Sequence, residues 1–151
     1  MGTNAAIARS KLSVESLLGG RGVLHVNPRT TLDWVFLIRK GISSVAVDSL
    51  AKALHITQSE LAMALGIPER TLARRKKEGT LNSEESAKLV RLARVIGRAE
   101  EVFEDIDVAL DWMKSGNAAL SGATPLSLLD TDIGAESVMD MIGRIEHGVF
   151  A

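Results

Sequence analysis

The stretch that decides the fold is residues 56–79, ITQSELAMALGIPERTLARRKKEG. Its pattern predicts two short helices joined by a tight turn at Gly66, because glycine takes the positive φ of such a turn without strain. Thr57 and Glu60 have the spacing of a capping box, which begins the first helix. Pro68 suits the first turn of the second helix, where its missing N–H costs little. Together these features predict a helix-turn-helix.

The apolar residues of this stretch fall where such a unit needs a core. Leu61 and Leu65 face inward from the first helix, and Ala62 is small where the second helix crosses closely. Ile67 and Leu72 complete the apolar set. Several independent requirements of one geometry are therefore met within one short segment.

The second helix leaves a cationic surface outside the core. Residues near its start are expected to reach base edges, and those farther along to reach phosphates. We assign the bases to Arg70, Thr71 and Arg74, and the DNA backbone to Arg75, Lys76 and Lys77. The alternative is a helical hairpin whose basic face is merely solvated. One copy would bind DNA weakly, so a specific regulator of this kind is expected to be a homodimer on operator DNA.

The charge of the chain is divided between its two halves. Up to Arg98 there are 16 basic and 8 acidic residues, and after it 2 basic and 11 acidic residues. This asymmetry predicts a polyanion as the partner of the first half and a different partner for the second, the alternative being chance clustering on solvated faces.

The remaining composition restricts the class of protein. The chain has no cysteine, which removes disulfides and thiolate chemistry, and no tyrosine, and its three histidines are scattered. We therefore expect that the protein is not an enzyme and that it binds neither a cofactor nor a metal. No segment is long and apolar enough to span a bilayer and the start lacks the apolar core of a signal peptide, so a cytoplasmic protein is expected.

Helical periodicity extends over most of the chain, and the predicted class is all-α. Residues 1–22 are rich in Ala, Ser and Gly and predict a flexible lead-in. A helix-turn-helix domain over 23–97 and a smaller helical domain over 98–151 follow. A helix from Thr31 to a stop at Gly41 carries an apolar face, suited to a core or a dimer, made of Leu32, Val35 and Phe36 with Arg39.

A long apolar seam begins after a capping box formed by Asn82 and Glu85. It predicts one helix, or two nearly continuous helices with the bend at Gly97. The seam consists of Leu89, Leu92, Ile96, Ala99, Phe103, Ile106 and Leu110. A final helix is predicted from Thr131 or Asp132 to about His147, followed by a short apolar tail.

Several segments of the second half resemble the Xre/MbcA/ParS antitoxins, the protective partners in bacterial toxin–antitoxin modules whose toxin has a RES domain. They are LNSEESAKLVRLAR at 81–94, Trp112 before a Gly/Asn loop, GATPL at 122–126 with LDT at 129–131, and GRIEHGV at 143–149. With the helix-turn-helix, the resemblance covers residues 41–151.

This resemblance implies an antitoxin that dimerises through its Xre-like part, binds a cognate RES-domain toxin with residues 98–151 and represses its own operon. RES toxins of this kind degrade NAD, and the antitoxin's C-terminus is thought to block their active-site cleft. The segment that would do so comprises Arg144, His147, Gly148, Val149, Phe150 and Ala151. Because an apolar tail with a free carboxylate can fill a cleft built for an anionic dinucleotide, Phe150 is the natural anchor.

Three alternatives stay open at this level. Val149 and Phe150 can fold back on the chain's own core instead of entering a partner. The protein can be a stand-alone transcription regulator whose acidic domain senses an effector. It can also be the antitoxin of an ADP-ribosylating toxin of related but different specificity.

Overall fold

The computed structural model describes residues 13–148, and this part of the chain is helical without a strand, which confirms the all-α prediction. An isolated antiparallel bridge joins Ser43 to Thr80. The helices in this range are α1 Val14–Leu17, α2 Arg21–Leu24, α3 Thr31–Lys40, α4 Val45–Leu54, α5 Gln58–Leu65, α6 Glu69–Glu78, α7 Ser83–Phe103, α8 Ile106–Lys114 and α9 Asp132–Glu146, with 3-10 turns η1 Ala118–Leu120 and η2 Leu126–Leu128.

Helix α7 is the central support of the molecule. It packs against α1, α3 and α5 on the helix-turn-helix side and against α8 and α9 on the acidic side. The predicted seam supplies its buried face, since Leu89, Leu92, Ile96 and Ala99 are fully shielded from solvent. Helices from both halves of the sequence therefore pack onto one helix that crosses the predicted boundary at residue 97/98.

The bend of the long apolar seam lies beyond the predicted position. Gly97 remains inside α7, and the chain breaks at Glu104, which takes a left-handed φ of 60°. Asp105 then begins α8 by accepting hydrogen bonds from the backbone N–H groups of Asp107 and Val108. The capping carboxylate, not the glycine, decides where the helix ends, because it satisfies amide groups that would otherwise be unpaired.

The prediction of a flexible lead-in over residues 1–22 is wrong for the part that the structure describes. Leu17 and Leu18 are buried, and helix α1 packs against α4 and α7. Ser13 caps α1 through the N–H of Ser16. Residues 1–12 lie outside the described range, so the prediction stands untested there.

Helix α3 has the predicted bounds but turns a different face inward. Its buried residue is Leu37, and Trp34 and Ile38 pack against the core beside it. Leu32 and Phe36, which belong to the predicted apolar face, are 57% and 56% exposed. Of the two roles predicted for that face, the core role is excluded for these two side chains.

Three cationic side chains hold the acidic half against the rest. Arg91 pairs with Asp132 at the start of α9, and Arg98 pairs with Glu146 at its end. The Lys114 Nζ donates to the carbonyl oxygens of Leu54, at 2.7 Å, and His55, at 3.4 Å, where α4 ends. The two arginines thus connect both ends of α9 to α7, and Lys114 connects α8 to the end of α4.

Candidate functional site

The helix-turn-helix has the predicted internal geometry. The Thr57 hydroxyl accepts from the Glu60 N–H at 3.1 Å, and the Glu60 carboxylate accepts from the Thr57 N–H at 2.8 Å. The bond from the Thr57 backbone N–H lowers the pKa of the Glu60 carboxyl. Gly66 has a φ of 70°, so the left-handed turn is present. The core prediction is confirmed, because Leu61, Ala62, Leu65, Ile67 and Leu72 are all buried.

The outer face of α6 carries three of the predicted DNA-contacting residues. Because successive helical residues turn by about 100°, Arg70, Arg74 and Lys77 lie on the side opposite the buried Leu72. All three are exposed. Within residues 13–148, Arg70 and Lys77 have no ion pair or side-chain hydrogen bond, and Arg74 lies 3.7 Å from Glu78. This face can receive a polyanion without breaking a strong contact.

The structure places Arg75 differently from its neighbours. Its Nε donates to the Glu85 carboxylate at 2.8 Å, and its Nη1 donates to Glu78 at 2.8 Å. The Arg75 side chain is 20% exposed and that of Glu85 is 10% exposed. Arg75 therefore connects α6 to the first turn of α7 instead of pointing outward from α6.

The electrostatics of this pair fit a structural role. Burial alone would raise the pKa of Glu85, but the hydrogen bonds from Arg75 and the Asn82 N–H lower it below its usual value. The same bond to Glu85 raises the pKa of Arg75. Glu85 also closes the predicted capping box with Asn82, so one carboxylate caps α7 and anchors α6.

Two further predicted DNA contacts have neighbours within the chain. The Lys76 Nζ lies 2.9 Å from Asp48 on α4, and Asp48 also accepts from the Gln58 side chain at 3.3 Å. Thr71 is half-buried beside Leu72. Sequence reasoning missed the pair of Lys76 with Asp48 because Asp48 comes from another helix. The predicted contacts to DNA stay predictions for all six residues.

The second candidate site is the C-terminal end of α9. Arg144 is exposed and the His147 side chain is 75% exposed, with Nε2 3.9 Å from Glu146. The bond from Arg98 lowers the pKa of Glu146 and ties the last turn of α9 to α7. Gly148 follows with a φ of 73°. Val149, Phe150 and Ala151 lie outside the described residues, so their predicted role is untested.

The loop before α9 is part of the domain's interior. Trp112 packs on Phe103 with ring centroids 5.5 Å apart, Pro125 is buried, and Leu126 lies against the core. The Thr131 hydroxyl caps α9 by accepting from the Gly134 N–H at 3.0 Å. The start and the end of α9 are thus both fixed, which gives the residues on its outer side defined positions.

Comparison with known proteins follows the same division. Residues 33–94 match the family model of the antitoxin Xre-like helix-turn-helix domain, and residues 98–148 match that of the antitoxin Xre/MbcA/ParS C-terminal toxin-binding domain. The two family models together define an antitoxin of a toxin–antitoxin module.

Two relatives with similar sequences assign the chain to its family. It is 40% identical over 116 residues to an antitoxin Xre of Yersinia enterocolitica, with 76% of this chain and 78% of that protein covered. An antitoxin Xre of Photorhabdus laumondii is 35% identical over 115 residues, with 75% and 78% covered. The chain belongs to the Xre/MbcA/ParS antitoxin family.

Two more distant relatives extend the comparison. A protein of Sphingobium named Prs ADP-ribosylating antitoxin is 26% identical over 130 residues, with 80% of this chain and 82% of that protein covered. A chain of the M. tuberculosis MbcT–MbcA toxin–antitoxin complex has the same fold, with a TM-score of 0.51 at 22% identity, 72% of this chain and 96% of that chain being covered. Within residues 13–148, no helix is long and apolar enough to cross a membrane.

Proposed function

We propose that this antitoxin neutralises a RES-domain, NAD-degrading toxin by placing its C-terminal segment in the toxin's active-site cleft. The observation that carries the proposal is the fixed end of α9. Arg98 holds Glu146, while Arg144, His147 and Gly148 remain exposed beside it. The sequence Val149-Phe150-Ala151 continues from this fixed point. An anchored tail loses less conformational freedom on binding than a free one, which favours affinity.

The resemblance of GATPL at 122–126 and GRIEHGV at 143–149 to this family supports a RES partner. The chemistry would belong to the toxin, and the antitoxin would act by binding alone. A second candidate is a toxin that ADP-ribosylates a target, which the name of the Sphingobium relative favours. Both candidates use the same surface of the antitoxin and differ in what the toxin does with NAD.

We expect full-length protein to restore growth when the adjacent toxin gene is induced, and a variant lacking residues 149–151 to fail. The physical reason is removal of the apolar anchor Phe150 from the cleft. Growth, cellular NAD and labelled ADP-ribose on protein are measured together. A fall in NAD without labelling identifies the degrading toxin, and labelling identifies the second candidate.

The truncation needs a matched control. A variant with Lys88→Ala keeps the tail and removes a half-buried cation far from it in sequence, whose Nζ bonds the Gly66 carbonyl at 3.3 Å. It should protect like the full chain, and circular dichroism should show all three proteins folded. If the truncated protein still protects, residues 149–151 do not block the active site of the toxin. If the adjacent gene is harmless alone, a stand-alone regulator replaces the proposal.

We also propose that the chain forms a homodimer through the exposed face of α3 and represses its own operon through α6. Leu32 and Phe36 expose more than half of their surface, and Phe36 borders a hollow of about 600 Å³ that Val26 also lines. Exposed apolar side chains that adjoin one another, as Leu32 and Phe36 do one helical turn apart, often mark a protein–protein contact. Two copies would place two α6 helices on one operator, as helix-turn-helix proteins require for specific binding.

The dimer gives a direct prediction. Phe36→Asp is expected to convert a dimer to a monomer, because a carboxylate at the centre of an apolar contact would be stripped of its water. Sedimentation at micromolar concentration measures the mass, with Met63→Asp as the control, since Met63 is 76% exposed on α5. A monomeric wild-type protein, or a Phe36→Asp variant that stays dimeric, would exclude this interface.

A further inference from the structure

Ile133 is the most exposed large apolar side chain within residues 13–148, at 83%. It lies in the first turn of α9, off the buried face that Ala135, Val138 and Ile142 form. An isoleucine so placed contributes nothing to the core of its own chain. A single exposed apolar residue is common, so its meaning depends on what surrounds it.

The backbone around Ile133 is held by contacts of the neighbouring residues. Thr131 caps the helix, and Asp132 pairs with Arg91 of α7. Gly134 packs so tightly on η2 that an added Cβ would lie 1.9 Å from the Leu128 carbonyl oxygen. These contacts therefore hold the backbone on both sides of Ile133. A rigidly presented apolar side chain suits binding, because little conformational freedom is given up when a partner covers it.

Ile133 also belongs to a continuous outer face of α9. At about 100° per residue, Glu136, Asp140, Arg144 and His147 follow it on the same side, and all of them are exposed. The face runs for about 21 Å at the α-helical rise of about 1.5 Å per residue. It ends at two of the residues assigned above to the toxin-binding segment. We call these five residues the outer face of α9.

We propose that the outer face of α9 docks on the cognate toxin, with Ile133 as its apolar anchor at the end farthest from the C-terminal tail. The inference rests on the proposed function, because it extends the same interface. Two observations select the toxin as the occupant. All of α9 lies within the part that matches the toxin-binding domain, and the face is continuous with Arg144 and His147.

The charges of the outer face of α9 indicate which groups the toxin surface would present to it. Glu136 and Asp140 lie between Ile133 and Arg144 and have no ion pair within residues 13–148. The complementary surface is therefore an apolar recess at one end followed by cationic groups. Such complementarity governs specificity and association rate more than the total affinity. The tail would block the active site, and the outer face would select which toxin is blocked.

The test is a titration of full-length antitoxin with the catalytically inactive product of the adjacent toxin gene, measured by calorimetry. We expect Ile133→Ala to weaken binding about tenfold and Ile133→Asp by about thirtyfold or more, as for a buried interface anchor. Both variants should keep the melting temperature of the wild type within a few degrees, because the side chain is exposed and an acid is favoured in the first helical turn.

Val108→Asp is the matched control. Val108 is 48% exposed in the first turn of α8, within the same domain but on another helix. It should bind the toxin within about twofold of wild type, since surface changes outside an interface have small effects. Equal weakening by Val108→Asp and Ile133→Asp would show a general effect of negative charge and overturn the proposal. Unchanged binding by both Ile133 variants would also overturn it.

The two proposals fail in different ways. If Ile133→Asp binds like wild type while the protein lacking residues 149–151 does not, the tail mechanism stands and the outer face is excluded. If the truncated protein binds like wild type and Ile133→Asp is weak, the outer face carries recognition, and protection by the truncated protein in the growth assay would then exclude blocking by the tail. A wild-type protein that does not bind the adjacent gene's product overturns both.

Discussion

Replacing Gly134 by alanine is expected to destabilise the protein by about 3 kcal/mol, in the upper range for an overpacked site. The added Cβ would lie 1.9 Å from the Leu128 carbonyl oxygen and 2.8 Å from its carbon. These are backbone atoms of η2, so no side chain can rotate away to make room. Either η2 or the start of α9 must move, and both lie against the core through Leu128, Leu129 and Ala135.

The measurement is thermal unfolding followed by circular dichroism. At about 2–4 °C per kcal/mol for a chain of this size, the Gly134→Ala variant should melt roughly 10 °C below wild type. The displaced α9 would also misplace both ends of the toxin-binding surface, so protection in the growth assay should weaken. An unchanged melting temperature would show that the close approach of Gly134 to Leu128 is absent in solution.

The same helix provides a control in which alanine should increase the stability of the protein. Gly143 also lies inside α9, but an added Cβ there would meet no atom within 4 Å. Alanine has a higher helix propensity than glycine, so Gly143→Ala should stabilise the protein by about 0.5–1 kcal/mol. If Gly134→Ala and Gly143→Ala were both destabilised, the loss of stability would reflect a general intolerance of α9 to substitution and not the clash at Gly134.

Local signals allowed most helix boundaries to be predicted. The capping boxes Thr57–Glu60 and Asn82–Glu85 use side chains three residues apart, so they are visible in the sequence and are present in the structure. Gly66 is also a local signal, because the turn that follows the first helix needs a positive φ whatever the packing around it. The break before α8 had a local signal as well, since Asp105 is a good N-cap, but Gly97 was the more conspicuous breaker.

Features that depend on distant partners could not be predicted in this way. Helix α3 has apolar residues on several sides, so periodicity alone did not show that Leu37 would be buried and Phe36 exposed. Leu17 and Leu18 lie in a glycine-rich segment and are buried because α4 and α7 cover them. In the candidate site, Glu85 is ten residues from Arg75, and nothing local indicates their contact. Ile133 did carry a signal, as an apolar residue off the buried stripe of its helix.

Removing both Arg70 and Lys77 is expected to weaken DNA binding at least about tenfold at physiological salt, because a predicted base contact and a predicted phosphate contact are both lost. Both side chains lie on the outer face of α6 and have no competing ion pair within residues 13–148. The Arg70→Ala, Lys77→Ala double variant should also lower the slope of log affinity against log salt by about 0.9 for each phosphate that the protein no longer neutralises. The probe is the promoter region of the protein's own operon.

Arg75→Ala should lower the thermal stability of the protein and leave the salt dependence of DNA binding unchanged. Its removal leaves the Glu85 carboxylate without a guanidinium partner in a site that is 10% exposed, so the melting temperature should fall by several degrees. The double variant at Arg70 and Lys77 should melt like wild type, because neither residue forms an ion pair with the rest of residues 13–148. Compared at a temperature where all variants are folded, Arg75→Ala should retain the wild-type salt slope. If Arg75→Ala instead flattens the slope without a fall in stability, Arg75 contacts phosphate as its position in the sequence first indicated, and its pairing with Glu85 gives way to DNA.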